Sequence, residues 1–309
     1  MGSDFGPINP VKGVLQALEE LPGEIEVFLF GQAEKLQAAF QEAGVGDIPE
    51  QVTLVDAPQT VEMAESPTQA IKNKPESSII KGLQSLKTGT IDSFISAGNT
   101  GATLTASVLF LGLLDGVQRP TIGAIYPFGE TPAYVGDTGA NLDAKPDHYV
   151  FFAEAGSIYL QKTYGIAEPR VALLNVGEEK GKGTATAQAA YEKLEAAEGI
   201  HFVGNAEGRD FRKNLADVYV CDGFVGNILM KFAESFYDIM KQDLPDDQRI
   251  ANLSADNVGG LPFLGVNGNV MIGHGNSSPA AFCKMLHNSA EGLKNGLLDA
   301  FREYFSARA

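Results

Sequence analysis

One pattern of organisation recurs along this chain: a short apolar run, a loop of Gly, Asn and Ser, then an amphipathic run at helical spacing. Residues 91–96 lead through 97–101 into a helix from about Ala102. Residues 217–220 lead through CDGFVGN (221–227) into 228–241, and residues 269–272 lead through GHGNSS (273–278) into 279–298. Residues 170–176 lead through 177–183 into 184–197, and 25–30 and 121–126 read as further strands. Strands rich in Val, Ile and Phe that alternate with helices predict a mostly parallel sheet covered on both faces. In such sheets ligands collect outside the carboxyl ends of the strands, where each of these loops falls.

The 309 residues, 44% hydrophobic and 20% charged, easily supply a core and fit two domains or one large α/β unit. A formal net charge of −16 argues against a general nucleic-acid surface and leaves room for a local basic patch. Cys221 and Cys283 are too few for a disulfide framework and fit a reducing cytosol. The opening residues carry no apolar leader segment, and the longest uncharged apolar run, 101–114, is shorter than the ~20 residues of a membrane span. These features predict a soluble, cytoplasmic protein. The chain opens with a loop and then a helix, with Asn9 as its N-cap and Pro10 at its first position. Residues 243–256 interrupt the alternation and read as loop.

SAGNTGA (96–102) is the most informative loop. Gly98 and Gly101 permit close backbone approach, and the N–H groups of Asn99, Thr100, Gly101 and Ala102 are expected to open a helix whose dipole favours an anion. The same letters also make an ordinary strand–helix turn capped by Asn99 or Thr100. DTGANLDAKP (137–146) offers Lys145 to neutralise an anion and Asp137 as a base or as a partner that orients Lys145; otherwise it is a solvated loop with Pro146 at a helix start. In AEGRD (206–210), Arg209 either grips a phosphate with its fork or pairs with Glu207 or Asp210. CDGFVGN contributes Asp222, Gly223 and Asn227 at a helix start, with Cys221 a buried core residue. His274 sits between glycines at a strand end, with functional and structural roles equally open. His148, His201 and His287 read as structural, and no metal set with workable spacing emerges. GEEKGKGT (177–184) has Lys182 where a Walker A loop needs Gly, and neither a G-x-G-x-x-G fingerprint nor a G-x-S-x-G elbow occurs.

Taken together, SAGNTGA, the D-x-G-A-N-x-D-x-K-P segment, GEE, EGRD, CDGFVGN, and GG-x-P-x-L-G-x-N-G with HG downstream resemble the bacterial acyl-ACP:phosphate acyltransferase family of phospholipid synthesis. The motifs stand in the family's order over nearly the whole chain. MGSDFGP (1–7) resembles the family's M-G-G-D-x-x-P opening, and 66–78 its P-x-x-A-x-R-x-K-x-x-S-S stretch. The resemblance implies transfer of a fatty acyl group from acyl carrier protein to inorganic phosphate. It also implies the three-layer α/β/α fold shared with phosphotransacetylases and the isopropylmalate dehydrogenase-like group, as one unit over 1–309 with two interleaved subdomains. A homodimer, peripheral membrane association and contact with a glycerol-phosphate acyltransferase are further implications, with no cofactor, metal or nucleic acid. The chain departs from the family in lacking a strand before the opening motif. It also has Ser3 for Gly, Lys72 for Arg, Thr184 for Asn and a short segment after Asn227.

The chemistry asks little of a protein. Phosphate is already an anionic nucleophile near neutral pH and a thiolate leaves well, so positioning and oxyanion stabilisation suffice. Helix-opening N–H groups of SAGNTGA and CDGFVGN, with Lys145 and Arg209, are the expected phosphate holders. Asn99, Asn141 or Asn227 is the expected oxyanion donor, worth roughly 3–4 kcal/mol; Asp137 or His274 would handle protons. An acidic carrier protein needs a local basic patch here, either Lys72, Lys74, Lys81 and Lys87 or Lys231, Lys241 and Arg249.

Overall fold

A computed structural model describes residues 1–126, 131–244, 247–251 and 253–308. In chain order the elements begin with α1 (Ile8–Glu20), β1 (Val27–Gly31), α2 (Ala33–Glu42), β2 (Val52–Asp56), α3 (Pro67–Asn73), α4 (Ser78–Lys87), β3 (Ser93–Ser96) and α5 (Thr100–Leu111). There follow β4 (Thr121–Tyr126), β5 (Ala133–Gly136), α6 (Pro146–Tyr164), β6 (Arg170–Leu174), α7 (Ala185–Ala196), β7 (His201–Ala206), β8 (Val218–Val220) and α8 (Gly223–Asp243). The last are α9 (Gln248–Ala251), α10 (Ala255–Val258), β9 (Leu261–Leu264), β10 (Asn269–Ile272), α11 (Pro279–Lys294) and α12 (Leu297–Ser306). They form two compact units. The first comprises Met1–Gly112, Ala255–Pro262 and Val266–Leu293; the second comprises Leu113–Ser254, Phe263–Gly265 and Lys294–Ala309.

In the first unit β1 and β2 pair in parallel with Val27 beside Val52, and α1 and α2 cover them through Val11, Val14, Ala39 and Phe40. β3 and β10 also pair in parallel, so the loops after them, 97–99 and 273–278, leave the same edge. The Gly273 N–H donates to the Ser96 carbonyl at 2.7 Å, which joins the two loops at their roots. A side chain at Gly13 of α1 would place its Cβ 2.4 Å from Phe282 Cβ and 2.6 Å from the Pro279 carbonyl oxygen. Glycine there lets α1 lie directly against α11.

In the second unit β5, β8, β6 and β7 run parallel in that spatial order, while β4 joins β5 and β9 in antiparallel fashion. The fold is α/β, with a mostly parallel sheet flanked by helices. The parallel strands aim the loops at 137–141, 175–184, 207–213 and 221–222 at one edge. The core gathers Phe152 and Leu160 of α6, Val171 and Leu173 of β6, Val218 of β8, and Phe301 and Phe305 of α12. Tyr134 is fully buried at its centre, and Gly123, Gly136 and Gly156 crowd its ring from three elements.

Several expectations need correction. The run 279–298 is two helices, broken where Gly296 adopts φ 64. α8 starts at Gly223, five residues before the expected Ile228. Residues 243–256 hold short helical turns rather than loop alone. Asn9 does not cap α1: the cap is Pro7, and the Asn9 amide instead donates to the Ser277 carbonyl at 3.0 Å. No helix among the described residues is long and apolar enough to cross a membrane.

Gly156→Ala separates packing from propensity. Alanine in mid-helix normally gains up to about 1 kcal/mol over glycine. Here its Cβ would lie 2.5 Å from Tyr134 Cδ1 and 2.9 Å from Val218 Cγ1, and overpacking of this kind costs ~1–3 kcal/mol. The variant is expected to unfold at lower urea concentration than the parent; an unchanged or higher midpoint would show that the cradle yields.

Candidate active site

The loop after β5 is organised by a buried carboxylate. Asp137 is inaccessible to solvent and accepts from the backbone N–H groups of Ile122 (3.1 Å), Gly139 (3.3 Å), Ala140 (3.2 Å) and Asn141, and from the Asn141 side-chain amide (2.9 Å). Burial pushes its pKa above the ordinary carboxylate value, and the donors oppose that shift by favouring the ionised form. Its oxygens face these donors, so it acts as the acceptor that shapes the loop. None of these donors is Lys145.

Asn141 is similarly committed. Its amide donates to the Pro120 carbonyl at 2.8 Å and to Asp137, which leaves no amide hydrogen for an oxyanion. Its carbonyl accepts the Gly223 N–H at 2.8 Å, tying the loop to the start of α8. Two glycines allow this approach: a Cβ at Gly223 would lie 2.9 Å from the Asn141 carbonyl oxygen, and one at Gly226 only 1.9 Å from that of Asp137. Asp222 caps α8 by accepting the Val225 N–H at 2.8 Å. Asn227, one turn on, is half-buried beside Gly139, and its side chain makes no hydrogen bond among the described residues.

Lys145 is the N-cap residue of α6 and is exposed, with no ion pair to a described residue. Its backbone N–H donates to Nδ1 of the buried His148 at 3.2 Å, and burial lowers the pKa of that imidazole. Arg119 also acts on His148 electrostatically and has no ion pair among the described residues. Arg119 and His148 line a cavity of about 420 Å³ with Val117, Phe151 and Phe305. Sequence reading misses Arg119 because it stands alone in a turn-like stretch, outside any motif. Arg209 is exposed and pairs with Glu207 at 2.8 Å, one of its two expected arrangements, and with Glu178 at 3.6 Å. Cys221 is fully buried, and burial drives its thiol pKa well up, as a core residue requires.

In the first unit Asn99 caps α5, its Oδ1 accepting the Ala102 N–H at 2.9 Å. Its Nδ2 points to the carbonyls of Glu62, Met63 and Glu65 at 3.2, 3.1 and 2.9 Å. Asn99 therefore clamps the 62–65 segment and caps a helix, and its amide is not available as an oxyanion donor. Gly98 donates to Ser96 Oγ at 3.2 Å, while a Cβ at Gly101 would meet Pro67 Cγ at 2.8 Å. The N–H groups of Thr100 and Gly101 lie in the first turn, where no intrahelical acceptor exists. His274 is half-buried on the neighbouring loop, whose Gly275 carbonyl accepts the Asp4 N–H at 2.8 Å. MGSDFGP, SAGNTGA and GHGNSS thus meet in this unit, as the second unit brings together the 137–145 loop and CDGFVGN.

The basic groups are partly neutralised. Lys74 pairs with Glu65, Lys81 with Glu76 at 2.7 Å and Lys241 with Asp238 at 3.0 Å. Lys72 and Lys87 have no ion pair among the described residues, and the side chain of Arg249 lies outside them.

Residues 1–298 match the protein family described as fatty acid synthesis protein. The phosphate acyltransferase of Salinibacter ruber is 40% identical over 326 aligned positions, covering 98% of this chain and 96% of that one. Among solved structures, a phosphotransacetylase from Streptococcus pyogenes superposes with a TM-score of 0.64 at 16% identity, covering 92% of each chain. A 4-hydroxythreonine-4-phosphate dehydrogenase from Klebsiella pneumoniae gives 0.54 at 13% identity, over 92% of this chain and 95% of that one. At such identities the structural likeness speaks to the fold.

Asp137→Asn tests the hub. An amide in place of the carboxylate turns an NH2 toward groups that are themselves donors, and each buried donor left unsatisfied costs ~1–3 kcal/mol. The expected loss is at least ~2 kcal/mol in urea unfolding, against about 1 kcal/mol for removing the α8 cap with Asp222→Ala. Equal losses in the two variants would contradict the ranking.

Proposed function

The chain belongs to the fatty acid synthesis protein family and is an acyltransferase, and we propose that it transfers a fatty acyl group from acyl carrier protein to inorganic phosphate. A phosphate oxygen attacks the thioester carbonyl, the carbonyl oxygen takes the negative charge of the tetrahedral adduct, and the carrier thiolate leaves as acyl phosphate forms. The observation that carries this reading is Lys145: an exposed ammonium without an ion pair among the described residues, at the end of a loop locked by Asp137 and tied to the start of α8. An exposed cation on a held backbone suits a phosphate and a developing oxyanion. Asn227 is the side-chain amide with hydrogen-bonding capacity to spare, so it takes the oxyanion role in place of Asn99 and Asn141.

The product, a mixed anhydride, serves phospholipid synthesis in the cytoplasm by passing to a glycerol-phosphate acyltransferase. α8 supports a homodimer. Phe224, Ile228, Phe232, Phe236 and Ile239 repeat every three or four residues, which puts them on one face, and all are exposed; Phe232 is 67% accessible. A contiguous apolar face of this kind suits a twofold partner using the same face, and its remainder is the part of the chain best suited to peripheral membrane contact.

Two measurements bear on these readings. Purified protein given long-chain acyl-ACP should release carrier thiol only with phosphate present and should use acetyl-CoA far less well. Lys145→Ala should lower that rate by ~10²-fold or more with an unchanged melting temperature; full activity in the variant would remove Lys145 from the mechanism. Separately, Phe232→Asp should convert a dimer to a monomer in sedimentation velocity, and a variant that sediments like the parent would place the dimer contact elsewhere.

A further inference from the structure

α1 ends at Glu20, and α11 brings two side chains to that point from successive turns. Cys283 and His287 are four residues apart and therefore share a helix face. Glu20 Oε2 lies 2.8 Å from His287 Nε2 and 3.6 Å from Cys283 Sγ, and the three ligand atoms all fall within 4.8 Å of one another. All three residues belong to the first unit.

The carboxylate is held in this attitude. Gln16, one turn back on α1, donates to Glu20 Oε1 at 2.8 Å, leaving Oε2 to face the thiol and the imidazole. Outer hydrogen bonds of this type orient the ligands of metal sites. The two helices are also pressed together, since a Cβ at Gly13 would come within 3.1 Å of the Cys283 backbone nitrogen as well as striking Phe282. The three groups stand on rigid elements rather than on loops.

We propose that Glu20, Cys283 and His287 bind a divalent transition metal of the zinc class, one ion per chain, with a fourth position open to solvent. Thiolate, imidazole and carboxylate together suit zinc and disfavour the hard cations magnesium and calcium. With bonds of about 2.0–2.3 Å, the ligand atoms of a tetrahedral ion stand about 3.3–3.6 Å apart. The Cys–Glu edge already has that length, and a small carboxylate rotation opens the His–Glu edge. Glu20 and His287 are partly exposed, at 47% and 26%, which gives an ion a way in and keeps one coordination position for water. Binding releases the thiol proton to solvent, and the ion joins α1 to α11.

The test uses the whole chain, stripped with a chelator, reduced with a phosphine and titrated with Co²⁺ alone. The expected result is one ion per chain, with visible d–d bands and a near-ultraviolet thiolate-to-cobalt band, both displaced by Zn²⁺ and unaffected by Mg²⁺. Cys283→Ser should abolish the charge-transfer band, and His287→Gln should weaken binding at least ~tenfold; Gln16→Ala should weaken it by about tenfold. Circular dichroism verifies that each variant is folded, and the parent's cobalt spectrum stands whether or not a variant folds. Absence of a thiolate band in the parent, or cobalt binding unchanged in folded Cys283→Ser and His287→Gln, would overturn the proposal and leave a plain Glu–His ion pair.

Discussion

The buried carboxylate of Asp137 is the interaction on which the second unit's loop edge depends. A lone charge in that position would be expelled or neutralised; five donors make it tenable. Four of those donors are backbone N–H groups, so the carboxylate dictates a path for the chain from 137 to 141. That path presents the Asn141 carbonyl to the Gly223 N–H and leads to Lys145 at the start of α6. The glycines at 223 and 226 follow from the same geometry, because any larger residue would drive α8 off the loop. Lys145 thus has its backbone held while its ammonium stays in water.

Much of the sheet is legible in the sequence. Thr121–Tyr126 and Asn269–Ile272 are strands over the residues that their apolar runs indicate, because neither run contains a charged residue. β9 is not legible: Pro262 breaks its pattern. β5 has four residues in AYVG, too few to announce themselves. Helix ends are read less well than helix bodies. The α11–α12 break needs a left-handed Gly296, which a continuous apolar pattern conceals.

The site divides along the same line. Residue types and local spacing reveal caps: Asn99 and Asp222 each accept the N–H three residues on, as their positions suggest. They do not reveal what else the side chain touches. The Asn99 amide reaches carbonyls 34 to 37 residues away, and Arg209 meets Glu178 from another loop, so two groups that look ready for substrate are already engaged. Conversely Arg119, in no motif, stands at a cavity with no ion pair among the described residues. Glu20 lies 263 residues from Cys283, and no local reading joins them. Folding decides which polar groups remain available, and that information is non-local.

Each unit is assembled from stretches far apart in the sequence. The first needs α1 from the beginning of the chain and α11, through Leu293; the second begins at Leu113 and buries Phe301 and Phe305 of α12 in its core. A chain emerging from the ribosome can therefore complete neither core until nearly the whole of it has been made. Val11, Phe40 and Tyr134 must wait in partly formed structure while the remaining residues are added, at ~5–20 residues per second. The interleaving makes folding a late, long-range event, and it places the burden of solubility on the nascent chain, where a net charge of −16 keeps like molecules apart.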